Sequence, residues 1–470
     1  MLVLKINPTI IHTMKRLSIL LTATFFLLSG LQFISAKKKK RDSKEPDVHL
    51  RVDLDRTIMP AGKKGKAVIK VCLEPEEIIR DAANRPSVNV ALVLDKSGSM
   101  SGEKIAQAKE AAVQAIRRLG TKDLVSIVAY SNQADSIAPA HKAGNVSKLE
   151  NIIRCLRAGG GTALYAGVNQ GAAELRKNLS KEYFNRIILL SDGLANQGPS
   201  STADLVRLGR AFVKEDISVS TIGLGGGYNE DLMAGLAKEG QGNLYFAETS
   251  SELSGIFDAE IGDTLSVVAR NAVIRIEVQG KAKPIRLIGR EGRIEGNEVE
   301  IEINHLYGGQ EKFALLEVEV PEGNHDQSIS LANISVSFNS AQGEKRHSRK
   351  TKIGCTFSKE EKAVNESVNE NVIVAYVENQ VAVAKEQAIQ LADEGRHKEA
   401  VRELKNLNFK IEAQNRVWGS SSISQKNDQF LGEVEELDQA QGLSNESRKA
   451  WKSSNYQVQS QQKVISKSRN

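Results

Sequence analysis

The chain has 470 residues, a length that predicts about two or three domains rather than one hydrophobic core. Its 40% hydrophobic and 26% charged content is that of a globular protein. The net charge of +6 and the 5% aromatic content indicate no nucleic-acid partner, because that function needs a clustered basic patch or stacking aromatics.

The N-terminal segment, residues 1–36, reads as a signal peptide or a membrane anchor. A basic start, MKR, precedes an apolar run over residues 17–34 and the small residue Ala36, as in an export signal. The run is also close to the length of a bilayer span, and the KKKKR in the basic linker 37–46 resists translocation. We therefore predict an exported protein of the periplasm, cell envelope or medium, with membrane anchoring left open.

Two separate stretches show the period-two alternation of β-strands. The first, residues 47–86, contains HLRVDLDRTI and KAVIKVCLE with a PAG turn between them. The second, residues 263–357, contains NAVIRIEVQG, RIEGNEVEIEI, FALLEVEV and ISVSFN with no helices between them. The second stretch alone supplies few strands for a sandwich, so we predict that both build one antiparallel β-sandwich with a domain inserted between them.

The inserted region, residues 87–262, alternates apolar strands such as VNVALVL and RIILLS with amphipathic helices. This alternation predicts an α/β domain with a mostly parallel sheet and helices on both faces. From residue 358 the pattern becomes helical, and a turn at Glu394–Arg396 predicts a helical hairpin over 358–413. Residues 414–470 are rich in Ser, Gln, Asn and Lys, and we predict a flexible polar tail there.

Oxygen-bearing side chains follow several of the predicted strands of the α/β domain. Asp95, Ser97 and Ser99 lie in DKSGSM, Thr162 ends GGGT, and Asp192 lies in SDG. Because ligands of open α/β sheets bind beyond the carboxyl ends of the strands, we expect all five in one crevice. Two carboxylates and three hydroxyls are hard ligands that suit Mg²⁺ or Mn²⁺ in an octahedral shell. The ion would keep one open position for a carboxylate of a partner.

The motifs DKSGSM, GGGT and SDG, in this order on these elements, resemble the von Willebrand factor A family and its metal-ion-dependent adhesion site. The resemblance covers residues 87–262, and all five ligand positions of that site are filled. The architecture is also similar to bacterial exported proteins labelled as homologous to calcium-activated chloride channels. The resemblance implies a Rossmann-like fold, Mg²⁺ or Mn²⁺, and protein partners that supply an Asp or Glu as the last ligand.

The same region contains a glycine-rich stretch that resembles a nucleotide-binding loop. The stretch GLGGGY lacks the last glycine of a dinucleotide fingerprint, since Tyr228 stands there, and we interpret it as a loop at the rim of the crevice. Tyr165 and Tyr228 would lie on this partner-binding rim. The sequence has no GxSxG elbow and both carboxylates are assigned to the metal, so we predict no enzyme.

The function predicted from the sequence is metal-dependent protein binding by an exported cell-envelope protein. Two alternatives stay open at this point. One is a structural or regulatory scaffold subunit whose metal site is satisfied within the molecule. The other is a metal-dependent hydrolase.

Overall fold

A computed structural model describes residues 48–77, 85–144, 146–341, 345–440 and 442–462. The predicted signal segment, 1–36, and the linker, 37–46, lie outside the described residues. The described chain contains an α/β domain, a β-sandwich and a group of C-terminal helices. Among the helices described, none is both long enough and apolar enough to cross a bilayer.

The α/β domain contains a six-stranded sheet. Its strands are β4 (Ser87–Asp95), β5 (Leu124–Tyr130), β6 (Ala134–Lys142), β7 (Tyr183–Ser191), β8 (Ile217–Leu224) and β9 (Gln241–Ala247). They lie in the order β6-β5-β4-β7-β8-β9, and every neighbouring pair is parallel except β5 and β6. Strands β4, β7 and β8 are buried almost throughout, as expected for strands covered on both faces. The predicted Rossmann-like sheet is confirmed.

Helices cover both faces of this sheet. They are α1 (Glu103–Arg117), α2 (Val146–Arg154), α3 (Leu164–Arg176), α4 (Thr202–Lys214), α5 (Glu230–Glu239) and α6 (Leu253–Leu265). Helices α1, α2 and α6 share a hydrophobic core with Val90 and Leu92, whereas α3, α4 and α5 share one with Ala91 and Val93. Because successive side chains of a strand point to opposite faces, β4 contributes to both cores.

The β-sandwich is formed by ten strands in two sheets. They are β1 (Val48–Leu54), β2 (Ile58–Pro60), β3 (Gly65–Pro75), β10 (Val267–Val278), β11 (Lys283–Ile288), β12 (Arg293–Glu295), β13 (Glu298–Tyr307), β14 (Lys312–Val320), β15 (Ser328–Ser340) and β16 (Arg346–Ser358). The sheets have the orders β1-β3-β14-β11 and β12-β13-β10-β15-β16-β2. All pairs are antiparallel except the short parallel pair of β2 with β16.

Strands from before and after the α/β domain pair with one another in this sandwich. Ile69 of β3 lies opposite Leu316 of β14, and Met59 of β2 lies opposite Phe357 of β16. The inner faces of the two sheets share one hydrophobic core that also contains Ile274. The predicted insertion of the α/β domain into a discontinuous β-sandwich is therefore confirmed.

The C-terminal part is helical over most of its described length. It contains α7 (Glu361–Glu366), α8 (Glu370–Asp393), α9 (His397–Trp418), α10 (Ser421–Ala440) and α11 (Asn445–Ser460). Helices α8 and α9 form the predicted hairpin. The predicted flexible tail over 414–470 is wrong for α10 and α11, because Phe430, Val434 and Trp451 are buried in a core shared with α8 and α9. The few buried apolar side chains of α10 and α11 are supplemented by ion pairs and by contacts with the backbone, and together these hold the two helices in place.

Candidate metal centre

Three turns of the α/β domain meet at the carboxyl ends of its central strands. Strands β4 and β7 are parallel neighbours with Leu94 opposite Leu190, so the residues that follow them leave the sheet side by side. The turn after β4 is a short 3-10 helix, Gly98–Met100, which the buried Met100 anchors. Its Gly98 amide donates to the Gly160 carbonyl at 2.9 Å, which joins this turn to the loop that carries Thr162.

The five predicted ligands are brought together. Ser97 Oγ lies 3.0 Å from Ser99 Oγ, and Ser99 Oγ donates to Asp192 Oδ1 at 2.7 Å. The Thr162 hydroxyl lies close by, since a Cβ placed on Gly193 would be 3.3 Å from Ser99 Oγ and 3.6 Å from Thr162 Oγ1. Asp95 Oδ1 accepts from the backbone amide of Ser97 at 2.8 Å.

This oxygen cluster fits a small divalent cation. Adjacent ligands of an octahedral Mg²⁺ shell are about 2.9 Å apart when the metal–oxygen bonds are 2.0–2.1 Å. The separations of 3.0 Å and 2.7 Å around Ser99 match that value. The donors are carboxylate and hydroxyl oxygens, which hard cations prefer. Among the described residues, no group of three or more His, Cys, Asp or Glu side chains could hold a metal ion, and this cluster combines only two carboxylates with three hydroxyls.

Asp95 is held by two further side chains. Its Oδ2 accepts from Ser191 Oγ at 2.9 Å and lies 3.2 Å from the Tyr130 hydroxyl, which also reaches the Leu190 carbonyl at 2.9 Å. Burial raises the pKa of Asp95, although the hydrogen bonds from Ser97 and Ser191 oppose the rise. Sequence reasoning missed Tyr130 and Ser191, yet each ends a strand next to β4, and that position was an available signal.

Asp192 has a cationic neighbour that sequence reasoning also missed. Lys104 Nζ lies 2.6 Å from Asp192 Oδ2, and the lysine side chain is 38% exposed whereas the carboxylate is buried. Lys104 lies in the first turn of α1, directly after the DKSGSM turn, which was the available signal. The Lys104 ammonium group and a bound metal ion would therefore compete for the Asp192 carboxylate.

The loop that carries Thr162 is fixed by asparagines. The Thr162 amide donates to Asn196 Oδ1 at 2.8 Å, and the Asn196 amide donates to the Thr162 carbonyl at 3.1 Å. The Gly161 amide donates to Asn132 Oδ1 at 2.6 Å. A Cβ on Gly161 would lie only 2.9 Å from Asn196 Oδ1, so a larger residue here would displace this asparagine. The loop therefore holds the Thr162 hydroxyl in place before any ligand arrives.

Of the two residues predicted on the partner-binding rim, the structure places one beside the site and buries the other. Tyr165 lies half-buried in the first turn of α3, next to the Thr162 loop. Tyr228, predicted at the rim, is instead only 3% exposed, because its ring packs against Phe246 and lies 5.0 Å below Lys449 Nζ. Leu194, two residues after Asp192, is 60% exposed and was missed as a rim residue.

The glycines 225–227, here called the rim loop, lie against Asp192. A Cβ on Gly227 would be 2.7 Å from the Asp192 carbonyl oxygen, so only glycine allows this contact. A Cβ on Gly225 would be 4.0 Å from Lys104 Nζ. The loop that resembled a dinucleotide motif therefore borders the Asp192 side of the candidate metal centre.

Comparison with known families agrees with this fold. Residues 89–259, about a third of the chain, match the family model described as von Willebrand factor type A domain. Domains of this family are generally interaction modules rather than enzymes. An uncharacterized protein of Synechocystis sp. is 29% identical over 246 residues, a match that spans 50% of this chain and 58% of that protein.

Two solved structures share the fold over most of this chain. A von Willebrand factor type A protein from Catenulispora acidiphila aligns with a TM-score of 0.59 at 17% identity, over 79% of this chain and 89% of its own. The ArnB paralog VWA2 from Sulfolobus acidocaldarius aligns with a TM-score of 0.54 at 18% identity, over 88% of this chain and 98% of its own. At these identities the likeness concerns the fold.

Proposed function

We propose that the von Willebrand factor type A domain of this chain binds Mg²⁺ or Mn²⁺ and, through the ion, an acidic residue of a protein partner. The observation that carries the proposal is the convergence of the oxygen atoms of Ser97, Ser99 and Asp192, whose separations of 3.0 Å and 2.7 Å would also suit two edges of an octahedral shell. Asp95 and Thr162 complete the set of protein ligands.

The charge balance of the site favours a ligand with a negative charge. Two carboxylates only neutralise a divalent ion, and Lys104 adds a positive charge beside Asp192. When bound, the ion supplies an electrophilic coordination position that a partner's Asp or Glu can fill. Meanwhile Tyr130 and Ser191 orient Asp95, and Asn196 orients the Thr162 loop, so the protein side of the site is formed in advance.

The surface beside the site supports a partner with an apolar group next to its acid. Leu194 is strongly exposed although the following Asn196 fixes its loop to Thr162. Single exposed apolar side chains are common on protein surfaces, so Leu194 is proposed as a partner contact only because of its position beside the metal site. The signal-like segment, residues 1–36, supports an exported protein of the cell envelope as the setting.

The experiment that tests this function is capture of proteins from an envelope extract on the immobilised full chain. We expect capture in Mg²⁺ or Mn²⁺, loss of capture in EDTA, and loss in the Asp192→Asn variant. The matched control is Asp258→Asn, which removes a carboxylate that pairs with Arg118 on an exposed surface. Capture that is indifferent to EDTA and to Asp192→Asn would refute metal-dependent adhesion.

The scaffold alternative has one supporting observation. Glu446 Oε1 lies 4.0 Å from the position of a Cβ on Gly226, so the C-terminal part of the chain does bring an acid to the rim loop. If this acid serves the metal site from within the molecule, Glu446→Gln will weaken Mg²⁺ binding. If the partner supplies the acid, Glu446→Gln will leave Mg²⁺ binding unchanged.

A further inference from the structure

The C-terminal residues 442–462, here called the strap, run from the helical hairpin to the edge of the α/β domain. The strap contains α11. The N-terminal half of this helix carries three cations, which face four acids. Arg448 Nη2 lies 2.8 Å from Asp231 and 2.7 Å from Asp393, Lys449 Nζ lies 2.7 Å from Glu230, and Lys452 Nζ lies 2.9 Å from Asp231 and 2.5 Å from Glu386. The first turn of α5 and one side of α8 thus form an acidic surface that matches a basic helix.

The C-terminal half of the strap covers the edge strand β9 of the α/β sheet. Among the described residues, β9 is the last strand of its sheet, so its outer backbone groups have no described strand partner there. Gln462 supplies both missing contacts at Leu244, because its Oε1 accepts from the Leu244 amide at 3.1 Å and its Nε2 donates to the Leu244 carbonyl at 3.2 Å. The Tyr456 hydroxyl donates to the Gly242 carbonyl at 2.6 Å.

The end of α11 is held by the β-sandwich. Lys312 Nζ donates to the carbonyls of Ser460 at 2.7 Å and Gln461 at 3.0 Å. A cation at this position suits the negative end of a helix dipole. The strap therefore contacts the α/β domain, the β-sandwich and the helical hairpin at once.

The strap has little to hold it as a helix by itself. The sequence NESRKAWKSSNYQVQS is rich in Ser, Asn and Gln, which are weaker helix formers than Ala or Leu, and an isolated helix of this length is marginal in water. Its apolar contacts are Trp451, which is buried, and Leu443 and Tyr456, which are partly buried against neighbouring cores. Many of its contacts are ion pairs and hydrogen bonds. The cations Arg448 and Lys452 are only 16% and 12% exposed, but their partners Asp231 and Asp393 are 39% and 52% exposed, so a rising salt concentration weakens these pairs in part.

We propose that the first turn of α5, the β9 edge and the facing side of α8 form a docking surface for a basic helix. The strap is its occupant, and it leaves this surface reversibly while the rest of the chain stays folded. The acids Glu230, Asp231, Glu386 and Asp393 select for positive charge, and the open β9 edge selects for a side-chain amide or backbone that can pair with it.

Release of the strap would also free the rim loop. Glu446 lies beside Gly226, and Lys449 covers the ring of Tyr228, which directly follows the rim loop. The rim loop in turn contacts Asp192 and lies near Lys104. Docking of the strap therefore restricts the Asp192 side of the candidate metal centre; this coupling rests on the proposed function, whereas the docking itself does not.

The first test uses a fluorescent peptide that copies residues 442–462. In EDTA, the peptide should bind the full chain carrying Arg448→Glu and Lys452→Glu roughly tenfold more tightly than wild type, whose own strap fills the surface. Such a factor corresponds to about 1.4 kcal/mol. A peptide with the same two substitutions should bind neither chain. The matched control is Arg416→Glu, which breaks the exposed pair with Glu412 within α9 and should behave as wild type. Equal binding of the copied peptide to all three chains would overturn the proposal.

The second test needs no variant and so does not depend on how the variants fold. Hydrogen exchange of the wild-type chain is measured by mass spectrometry as NaCl rises. We expect β9 and α11 to lose protection together while β7 keeps its protection. Simultaneous loss in all three, or no response to salt, would overturn reversible docking.

A measurement of Mg²⁺ binding distinguishes the docking proposal from the proposed metal function. If the docking tests succeed and Mg²⁺ binds neither wild type nor the strap variant, the proposed metal function fails and the docking surface stands. If Mg²⁺ binds but the docking tests fail, the strap is a fixed part of the fold.

Discussion

Ser99 Oγ donates a 2.7 Å hydrogen bond to Asp192 Oδ1 across 93 residues of sequence. Ser99 belongs to the turn after β4 and Asp192 to the turn after β7, so this bond joins the two strand ends at the centre of the sheet. Ser97 and Thr162 place their hydroxyls beside the same pair. The candidate metal centre is therefore one contiguous oxygen cluster built on adjacent parallel strands.

Removal of Asp192 should weaken divalent-cation binding more than removal of Ser99. Asp192→Asn deletes one of two charges that balance the ion, and we expect at least about a tenfold lower Mg²⁺ affinity, or 1.4 kcal/mol. Ser99→Ala deletes one neutral ligand and should cost less. Titration calorimetry measures both. Ser101→Ala is the control, since that hydroxyl donates to the Gly98 carbonyl on the exposed side of the turn. Equal affinities in all four proteins would contradict the ligand assignment.

Lys104→Met should strengthen Mg²⁺ binding. The Lys104 ammonium group lies 2.6 Å from Asp192 Oδ2 and competes with a metal ion for that carboxylate. The lysine is partly exposed, so we expect a gain of about threefold to fivefold rather than a large one. Lys109→Met, whose ammonium contacts the Arg154 carbonyl on the surface, should leave the affinity unchanged. A weaker affinity in Lys104→Met would mean that Lys104 supports the site instead of opposing the ion.

Arg186→Met should strongly destabilise the fold without changing the residues of the candidate metal centre. Arg186 is fully buried at the opposite end of β7, where it pairs with Glu260 at 2.6 Å and donates to the Tyr307 hydroxyl of the β-sandwich at 2.6 Å. The variant leaves the Glu260 carboxylate buried and unpaired, which costs about 3–5 kcal/mol. Urea unfolding measures this loss. Arg176→Met, which breaks the surface pair with Glu215, should cost at most about 1 kcal/mol. Similar losses in the two variants would contradict the role given to Arg186.

Protonation of Asp263 should make the folded state more stable at mildly acidic pH. Burial and the nearby Glu260 charge raise the pKa of Asp263 from 3.8 to about 6. The folded state therefore holds this proton more tightly, so the stability from Asp263 is greatest below about pH 4 and is lost as the pH rises through 6. Asp263→Asn should raise stability at pH 7.5 by on the order of 1 kcal/mol and have little effect at pH 4. Asp428→Asn, on the exposed side of α10, is the control. A loss of stability at pH 7.5 in Asp263→Asn would contradict this prediction.

The sequence predicted the α/β sheet because its strands, such as β4 and β7, are continuous apolar runs between amphipathic helices. It predicted that the five candidate ligands share one crevice because Asp95 and Asp192 follow strands whose carboxyl ends a parallel sheet brings to the same edge, and the structure brings these side chains together. Lys104, Tyr130 and Ser191 were missed, because their positions at strand ends and in a first helical turn place them near the site without showing which side chains they contact. Tyr228 was misplaced because its burial depends on Phe246 and Lys449, which are distant along the chain.

The strap shows a second limit of sequence reasoning. A helix with few apolar residues looks flexible when only its own composition is considered. The acids that hold it, such as Glu230 and Glu386, lie in other parts of the chain, and nothing in the local pattern links them to Arg448 or Lys452.

The most direct test of the central proposal is the thermal stability of the chain from residue 37 onward, with EDTA, Mg²⁺, Mn²⁺ or Ca²⁺, beside Asp95→Ala. At about a hundredfold above its dissociation constant, a bound ion adds roughly 2.7 kcal/mol to the free energy of unfolding. We predict that Mg²⁺ or Mn²⁺ raises the midpoint of the wild type and leaves that of Asp95→Ala unchanged. An equal shift in both proteins, or none in either at millimolar ion concentration, would contradict a metal centre at these residues.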